Sequence, residues 1–187
     1  MAASEADAFL VEAIQRGEQQ AWREVIERYE GRLLSFARRM LAQRDEAEDL
    51  VQETYAKALK GFSSFQRGTN FRAWMYRILR NTFLTSRTGL KVSATLPLDS
   101  DDSPELPAGP ETPETILIEL SQHQLLQTAI EALPVHFREV LLLCEVEEMS
   151  YQEIAETLSI PIGTVMSRLS RARKALRENL QPRLVRV

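Results

Sequence analysis

The segment from residue 162 to residue 177 has the side chains needed to contact DNA bases and phosphates. On a helix turning about 100° per residue, its polar side carries hydroxyl and cationic groups: Thr164, Ser167, Ser170, Arg171 and Lys174, with Arg168 on the flank. Small hydroxyl residues allow close approach to base edges, while Arg and Lys reach guanine edges or phosphates. No Asp or Glu occurs between Pro161 and Arg177. An ordinary amphipathic surface helix with a cationic face is therefore the weaker alternative.

A second, shorter helix is predicted directly before this segment. Ser150 and Glu153 have the spacing of a capping box, which fixes a helix start. The apolar residues that follow predict its core side: Ile154, Ala155 and Leu158. Residues 159–161 can form a tight turn, and the next helix is expected to begin near Ile162. The predicted core side of that helix consists of Ile162, Val165, Leu169, Ala172 and Leu176. Two helices joined in this way predict a helix-turn-helix.

Residues 70–87 predict another amphipathic helix of a different kind. Its apolar side consists of Phe71, Trp74, Met75, Ile78, Leu79 and Thr82. Its other half carries Arg72, Arg77, Arg80, Asn81 and Arg87, with Tyr76 and Phe83 among them. Cations that follow phosphates and rings that hold unstacked bases are typical of surfaces for single-stranded or opened DNA. The Gly- and Ser-containing loop before it, residues 61–69, could shape a pocket for an extruded base. Alternatively Trp74 and Tyr76 are core residues, and for Trp74 the core interpretation is preferred.

A helix predicted over residues 45–60 has an acidic outer side. Its carboxylate and amide residues are Asp45, Glu46, Glu48, Asp49, Gln52 and Glu53. Such carboxylates repel one another unless a cationic partner is expected. Carboxylates in the first turn also interact favourably with the helix dipole, so a binding role and a structural role both stay open. A metal site is a weaker alternative, because carboxylates along one straight helix rarely complete a coordination sphere.

Charge is distributed unevenly along this chain of 187 residues with net charge −4. Residues 67–98 and 162–187 are basic, and residues 99–131 contain eight Asp or Glu and no Lys or Arg. This pattern indicates two surfaces for a polyanion, separated by a segment that repels it. Charge blocks of this kind can also be solvated surface.

Several classes of protein are disfavoured by the same composition. The chain has no apolar run of about 20 residues for a membrane span and no signal-peptide pattern at its start. One cysteine, Cys144, cannot form an internal disulfide, and it is expected to be a core residue rather than a redox group. With only two histidines besides, no metal or other cofactor is expected. We see no phosphate-binding loop and no nucleophile with a placed base, so the chain is not expected to be an enzyme. A cytoplasmic location is expected.

The coarse organisation is all-α, with two small helical domains joined by a flexible linker. The predicted domains are residues 1–88 and 113–187, and the C-terminal one contains the helix-turn-helix. The linker, residues 89–112, is acidic and rich in proline and has no helical period. In the C-terminal domain, helices are predicted over about 113–132, 135–146, 151–158 and 162–179. Thr112 and Pro113 suit the start of the first.

The order of these features resembles the sigma-70 family of bacterial RNA polymerase sigma factors. Residues 45–54 (DEAEDLVQET) resemble the segment that docks on the polymerase clamp helices, and residues 71–82 (FRAWMYRILRNT) resemble the part that melts and reads the −10 element. Leu133-Pro134, residues 137–143 and the helix-turn-helix resemble the domain that reads the −35 element. Since the chain carries none of the extra N-terminal and middle domains of housekeeping sigma factors, the resemblance is to the extracytoplasmic-function (ECF) group, whose members take part in stress responses.

The resemblance implies site residues at the matching positions. Binding to core polymerase would involve Asp49 and Gln52, with Asp45, Glu48 and Glu53 in support. Contacts to the −10 element would come from Gln66, Arg67, Gly68, Thr69, Arg77, Arg80 and Asn81, with Asn81 matching the position of the flipped base. Contacts to the −35 element would come from Thr164, Ser167, Arg168, Arg171 and Lys174.

The implied function is promoter-specific initiation of transcription, with core RNA polymerase and promoter DNA as partners. The family habit adds an anti-sigma factor, and neither membrane insertion nor a small-molecule substrate is expected. Two alternatives stay open. A helix-turn-helix transcriptional regulator would explain residues 135–179 but not the acidic and basic helices before them. A sigma-mimicking protein that titrates an anti-sigma factor would not need both basic surfaces.

Overall fold

The computed structural model describes residues 2–41, 44–66, 69–90 and 124–184. These residues form helices connected by turns. The helices are α1 (Ala2–Gln15), α2 (Gln19–Met40), α3 (Arg44–Gly61), α4 (Phe71–Leu90), α5 (described over 124–131), α6 (Val135–Glu145), α7 (Tyr151–Leu158) and α8 (Ile162–Leu184). A single 3₁₀ turn, Phe62–Ser64, follows α3 within this described part. The predicted all-α fold with a helix-turn-helix is confirmed.

Helices α1 to α4 form the N-terminal domain. The buried side of α2 follows the helical period and comprises Ala21, Val25, Tyr29, Leu33, Phe36, Ala37 and Met40. Ile26 is 38% exposed. It lies one position from Val25, which places it at the edge of the buried stripe, and α1 covers only part of α2. On α3 the residues Ala47, Leu50, Val51, Thr54 and Ala58 are buried, and Tyr55 is half-buried.

Aromatic residues hold the turn between α3 and α4 against the domain. The ring of Phe62 stacks on that of Phe65 at 5.8 Å, and Phe65 meets Trp74 edge-on at 5.1 Å. Trp74 also contacts Phe71 at 5.6 Å. The preferred interpretation of Trp74 as a packing residue is therefore correct. Tyr76 is also buried, at 1% exposure, which settles its alternative in favour of the core.

Helices α5 to α8 form the C-terminal domain. The predicted starts of α6, α7 and α8 agree with the structure to within one residue, whereas α8 continues to Leu184 instead of ending at 179. Val165, Leu169 and Ala172 are buried, but Ile162, expected beside them, is 46% exposed. Ile162 occupies the first turn of α8, before the helix reaches the packed part of the domain. The predicted cap at Thr112 and Pro113 lies outside the described residues.

The two domains pack directly against each other and share one apolar core. Helix α4 packs against α7, and the end of α2 packs against α6. A narrow cleft at this contact is lined from one side by Met40, Tyr76 and Leu79, and from the other by Leu143 and Leu158. Most of the predicted linker, residues 91–112, lies outside the described residues, while α4 extends to Leu90. The domain boundaries at 88 and 113 stay predictions.

Candidate nucleic-acid interfaces

The acidic side of α3, which we call the acidic face, is open to solvent. Its residues Asp45, Glu46, Glu48, Asp49, Gln52 and Glu53 are all exposed. Within the described part of the chain, Glu48 lies 3.4 Å from Arg38 Nη2, and Glu53 lies 2.8 Å from Lys57 Nζ. Both pairs are exposed and therefore weak. The face is negatively charged, and its weak internal ion pairs can be replaced by ion pairs with basic side chains of a partner.

The start of α4 is set by Asn70. Its side-chain oxygen accepts a hydrogen bond from the Ala73 backbone N–H at 3.0 Å, as expected of an N-cap. In the preceding loop, Thr69 donates from its hydroxyl to the Gln66 carbonyl at 2.7 Å, and both side chains are exposed. Arg67 and Gly68, the other two loop residues expected at the −10 element, lie outside the described residues.

The polar half of α4, which we call the basic face, is covered over much of its length by the C-terminal domain. Its residues are Arg72, Arg77, Arg80, Asn81 and Arg87. Arg72 donates to the backbone carbonyl of Glu147, and Arg77 donates to that of Glu156. Arg80 forms two hydrogen bonds with the Glu139 carboxylate, at 2.8 and 3.3 Å. Asn81 is exposed, and Arg87 lies over the Phe83 ring at 5.6 Å. The expected −10 residues are therefore divided: Gln66, Thr69 and Asn81 are exposed, whereas Arg77 and Arg80 contact the other domain.

The helix-turn-helix is built from local signals. Ser150 accepts from the Glu153 backbone N–H at 3.2 Å, and Glu153 accepts from the Ser150 N–H at 2.8 Å, so the predicted capping box is confirmed. Burial works to raise the pKa of Glu153, but its hydrogen bonds with Ser150 and Asn70 outweigh burial and lower it. Helix α7 ends at Leu158, and its C-cap Ser159, whose φ of 54° is in the left-handed region, turns the chain toward α8.

Most of the expected −35 residues lie together on the open side of α8. Ser167, Arg171 and Lys174 are exposed, and Thr164 is half-buried one turn before Ser167. Lys174 lies 3.9 Å from the Glu178 carboxylate, an exposed pair four residues apart. Arg168 differs, because its guanidinium points toward the domain contact and lies 3.6 Å from Glu139. Hydroxyl groups near the start of the helix followed by cations form a surface suited to the major groove.

Two family models match the chain in the order of its two domains. One, described as Sigma-70 region 2, covers residues 25–91, and one described as Sigma-70, region 4, covers residues 123–176. The RNA polymerase sigma-H factor of Pseudomonas aeruginosa is 33% identical over 98% of both chains. The chain belongs to the sigma-70 family.

Further comparisons place this sigma factor in the ECF group. The ECF sigma-E factor of Escherichia coli is 32% identical over 94% of this chain and 95% of its own length. The ECF sigma factor SigE of Mycolicibacterium smegmatis is 37% identical over 86% of this chain, and the match spans 62% of that relative's length. The protein is accordingly a promoter-recognising transcription initiation factor and not an enzyme.

Two solved structures resemble the fold of this sigma factor. CnrH, in a complex with the cytosolic domain of CnrY, aligns with a TM-score of 0.71 and 24% identity over 95% of this chain and 98% of that chain. The sigma factor RpoE of Bartonella quintana, in a complex with the anti-sigma factor NepR, aligns with a TM-score of 0.68 and 30% identity over 85% of this chain and 96% of that chain.

Sequence reasoning missed the buried charges at the contact between the domains. Glu139 is 2% exposed and Glu147 is 4% exposed. Arg138, also buried, donates to the Met40 carbonyl across the contact at 2.8 Å and to the Leu133 carbonyl at 3.1 Å. Burial lowers the pKa of Arg138. A signal was available, because Arg138 and Glu139 interrupt an otherwise apolar stretch at residues 137–143, where each charge needs a partner.

The remaining expectations concern metals, thiols and membranes. The described residues contain no group of three or more acidic, histidine or cysteine side chains placed to hold a metal. Cys144 is half-buried, and burial raises its pKa, which favours the unreactive thiol. Among the helices of the described part, none is long and apolar enough to cross a membrane.

Proposed function

We propose that this sigma factor docks on core RNA polymerase through the acidic face of α3. Asp49 and Gln52 make the central contacts, and Asp45, Glu48 and Glu53 flank them. Support comes from their exposure along one helix side and from the weakness of the exposed ion pairs that Glu48 forms with Arg38 and Glu53 forms with Lys57. Complementary charge across an interface accelerates association and selects the partner.

The −10 element of the promoter binds to the basic face of α4 and the loop before it. Asn81 and the loop residues Gln66, Arg67, Gly68 and Thr69 contact the flipped base and its neighbours. Arg77 and Arg80 hold the phosphates of the same strand. The proposal is supported by the aromatic cluster around Phe65 and Trp74, which gives the loop a rigid base. Rigid support of this kind suits a pocket that must hold an unstacked base.

The −35 element binds to the open side of α8. Thr164 and Ser167 approach base edges, and Arg168, Arg171 and Lys174 contact guanine edges or phosphates. The observation that carries the whole proposal is the presence of three chemically distinct faces, on α3, α4 and α8, within the two segments that match sigma-70 regions 2 and 4.

An anti-sigma factor is the proposed regulatory partner, and the cytoplasm is the proposed location. The 30% identical RpoE of Bartonella quintana forms a complex with an anti-sigma factor. A sigma factor acts where the polymerase and the chromosome are, which agrees with the absence of a membrane-spanning helix in the described residues.

The direct test is binding to bacterial core RNA polymerase, which needs no knowledge of the promoter. Asp49→Arg places a like charge against the cationic partner, and we expect the affinity to fall by about a hundredfold or more, since such contacts cost several kcal/mol. Glu12→Arg on α1 is the matched control, because it reverses an exposed carboxylate outside the acidic face. Equal affinities of Asp49→Arg and the wild type would refute the docking assignment.

A further inference from the structure

A single carboxylate, that of Glu139, contacts arginines from both proposed DNA-binding surfaces. Arg80, from the proposed −10 set, donates to it from Nε at 2.8 Å and from Nη2 at 3.3 Å. Arg168, from the proposed −35 set, lies 3.6 Å away through Nη1. The side chain of Glu139 is 3% exposed, against 23% for Arg80 and 27% for Arg168. The carboxylate is thus enclosed between the two cations at the domain contact.

The contact made by Arg80 has the geometry that a DNA phosphate would require. Two parallel N–H donors on two oxygens of one anion form the bidentate arrangement in which Arg binds carboxylates and phosphates alike. A guanidinium engaged in this way with Glu139 cannot bind a phosphate in the same manner. Glu139 and the DNA backbone therefore compete for Arg80.

Other contacts across the domain boundary surround this pair. Asn70 donates to the Glu153 carboxylate at 2.7 Å, and Arg72 and Arg77 donate to the carbonyls of Glu147 and Glu156. From the opposite side, Arg138 donates to the Met40 carbonyl at 2.8 Å. Three arginines of the basic face thus have their donors directed at the C-terminal domain, and two of them belong to the proposed −10 set.

We propose that Glu139 is an internal competitor of DNA, which holds the sigma factor in a closed state and must release Arg80 before the −10 strand can bind. The inference rests on the proposed function, since it regulates the same basic face. Because binding and closure exclude each other, the coupling is reciprocal: whatever opens the domains raises DNA affinity, and DNA opens the domains. The acidic face of α3 stays exposed in the closed state, so polymerase docking can precede opening.

The first experiment measures closure without DNA. In a Cys144→Ser background, fluorophores on Glu27→Cys in α2 and Ala132→Cys after α5 report the distance between the domains of the full chain. Both positions are exposed. Glu139→Gln keeps the shape and removes the charge, and we expect the labels to move apart. Arg72→Met removes a different interdomain contact, lies outside both proposed DNA-binding sets, and is expected to act in the same direction.

The control is Glu145→Gln, which removes an exposed Glu–Arg ion pair within one domain, to Arg173 at 2.7 Å. It should leave the label distance unchanged. If Glu139→Gln fails to fold by circular dichroism, Arg72→Met carries the test. An unchanged label distance in folded Arg72→Met and Glu139→Gln proteins would overturn the closed state.

The second experiment adds a mixed-sequence single-stranded oligonucleotide at fixed salt. We expect Glu139→Gln to bind it about tenfold more tightly than the wild type, because apparent affinity scales with the open fraction. The oligonucleotide should also move the labels of the wild type apart. If the labels separate in Glu139→Gln but its affinity matches that of Glu145→Gln, the domains do close, and the assignment of the basic face to DNA is what fails.

Discussion

The acidic face of α3 and the basic face of α4 lie on adjacent helices of one domain but have different surroundings. All six residues of the acidic face are exposed, and its ion pairs are at the surface. On the basic face, Arg72, Arg77 and Arg80 contact the C-terminal domain. The carboxylates are solvated, whereas these three arginines donate hydrogen bonds to acceptors of the C-terminal domain. The proposed polymerase-binding surface is therefore accessible in this structure, whereas part of the proposed DNA-binding surface is covered by the C-terminal domain.

The largest expected difference between the two faces is in stability. Arg80→Ala leaves Glu139 buried with Arg168 as its remaining cation. Breaking a buried pair costs about 3–5 kcal/mol, and we expect about 2 kcal/mol because one cation stays. Asp49→Ala on the open face should change the free energy of unfolding by less than about 0.5 kcal/mol. Urea unfolding followed by circular dichroism measures both, and equal losses would remove the distinction between the faces.

Sequence periodicity predicted α3, α4, α6, α7 and α8 well because each of these helices buries one side in its domain, whereas α1 was not predicted. It located α6, α7 and α8 to within one residue at their starts, and the capping box of α7 was readable from Ser150 and Glu153. Edge positions were less predictable. Ile26 and Ile162 fit the apolar period and are nevertheless 38% and 46% exposed. The period predicts which side of a helix is apolar, but it does not predict how much of that side the neighbouring helices cover.

The sequence predicted which helix faces carry the candidate site residues, but it did not predict how the two domains pack against each other. A helical wheel puts Arg77 and Arg80 opposite the core of their own domain, and this is correct for the N-terminal domain alone. It cannot indicate that a second domain supplies acceptors to that side. The contact depends on packing between segments 59 residues apart in the case of Arg80 and Glu139, and no local pattern encodes such a pairing.

A smaller effect is expected from the helix that covers the basic face. Ser150→Ala removes the side-chain cap of α7, and we expect a loss of about 1 kcal/mol in the free energy of unfolding. Amide hydrogen exchange should become faster in α7 and at its contact with α4, while the acidic face on α3 keeps its protection. Ser64→Ala is the control: its hydroxyl bonds to the Gly61 carbonyl at 2.6 Å in an exposed turn. Equal acceleration in α3 would contradict this separation.

The smallest effect concerns Glu147, a residue of the C-terminal domain that contacts Arg72 of the basic face. Its carboxyl is buried and interacts with Arg32 and Arg39 of α2 and with Arg72 and Tyr76 of α4. Burial raises the pKa of Glu147, although the Tyr76 hydroxyl and the three arginines oppose the shift. A carboxyl whose pKa is higher in the folded state contributes stability below its unfolded pKa of about 4.3. That contribution is lost as the pH rises through the folded pKa.

Glu147→Gln should therefore stabilise the protein in a pH-dependent manner. Near pH 4 the wild-type carboxyl is mostly protonated in both states, and the two proteins should have similar free energies of unfolding. Toward pH 8 the wild type carries a buried charge that the amide lacks, so the variant should become the more stable one. Thermal unfolding between these pH values measures the difference, with Glu148→Gln at the exposed neighbouring residue as control. A variant that is less stable at pH 8 would mean that attraction to the three arginines outweighs the burial of the charge, and that Glu147 acts as a second internal anion for the basic face.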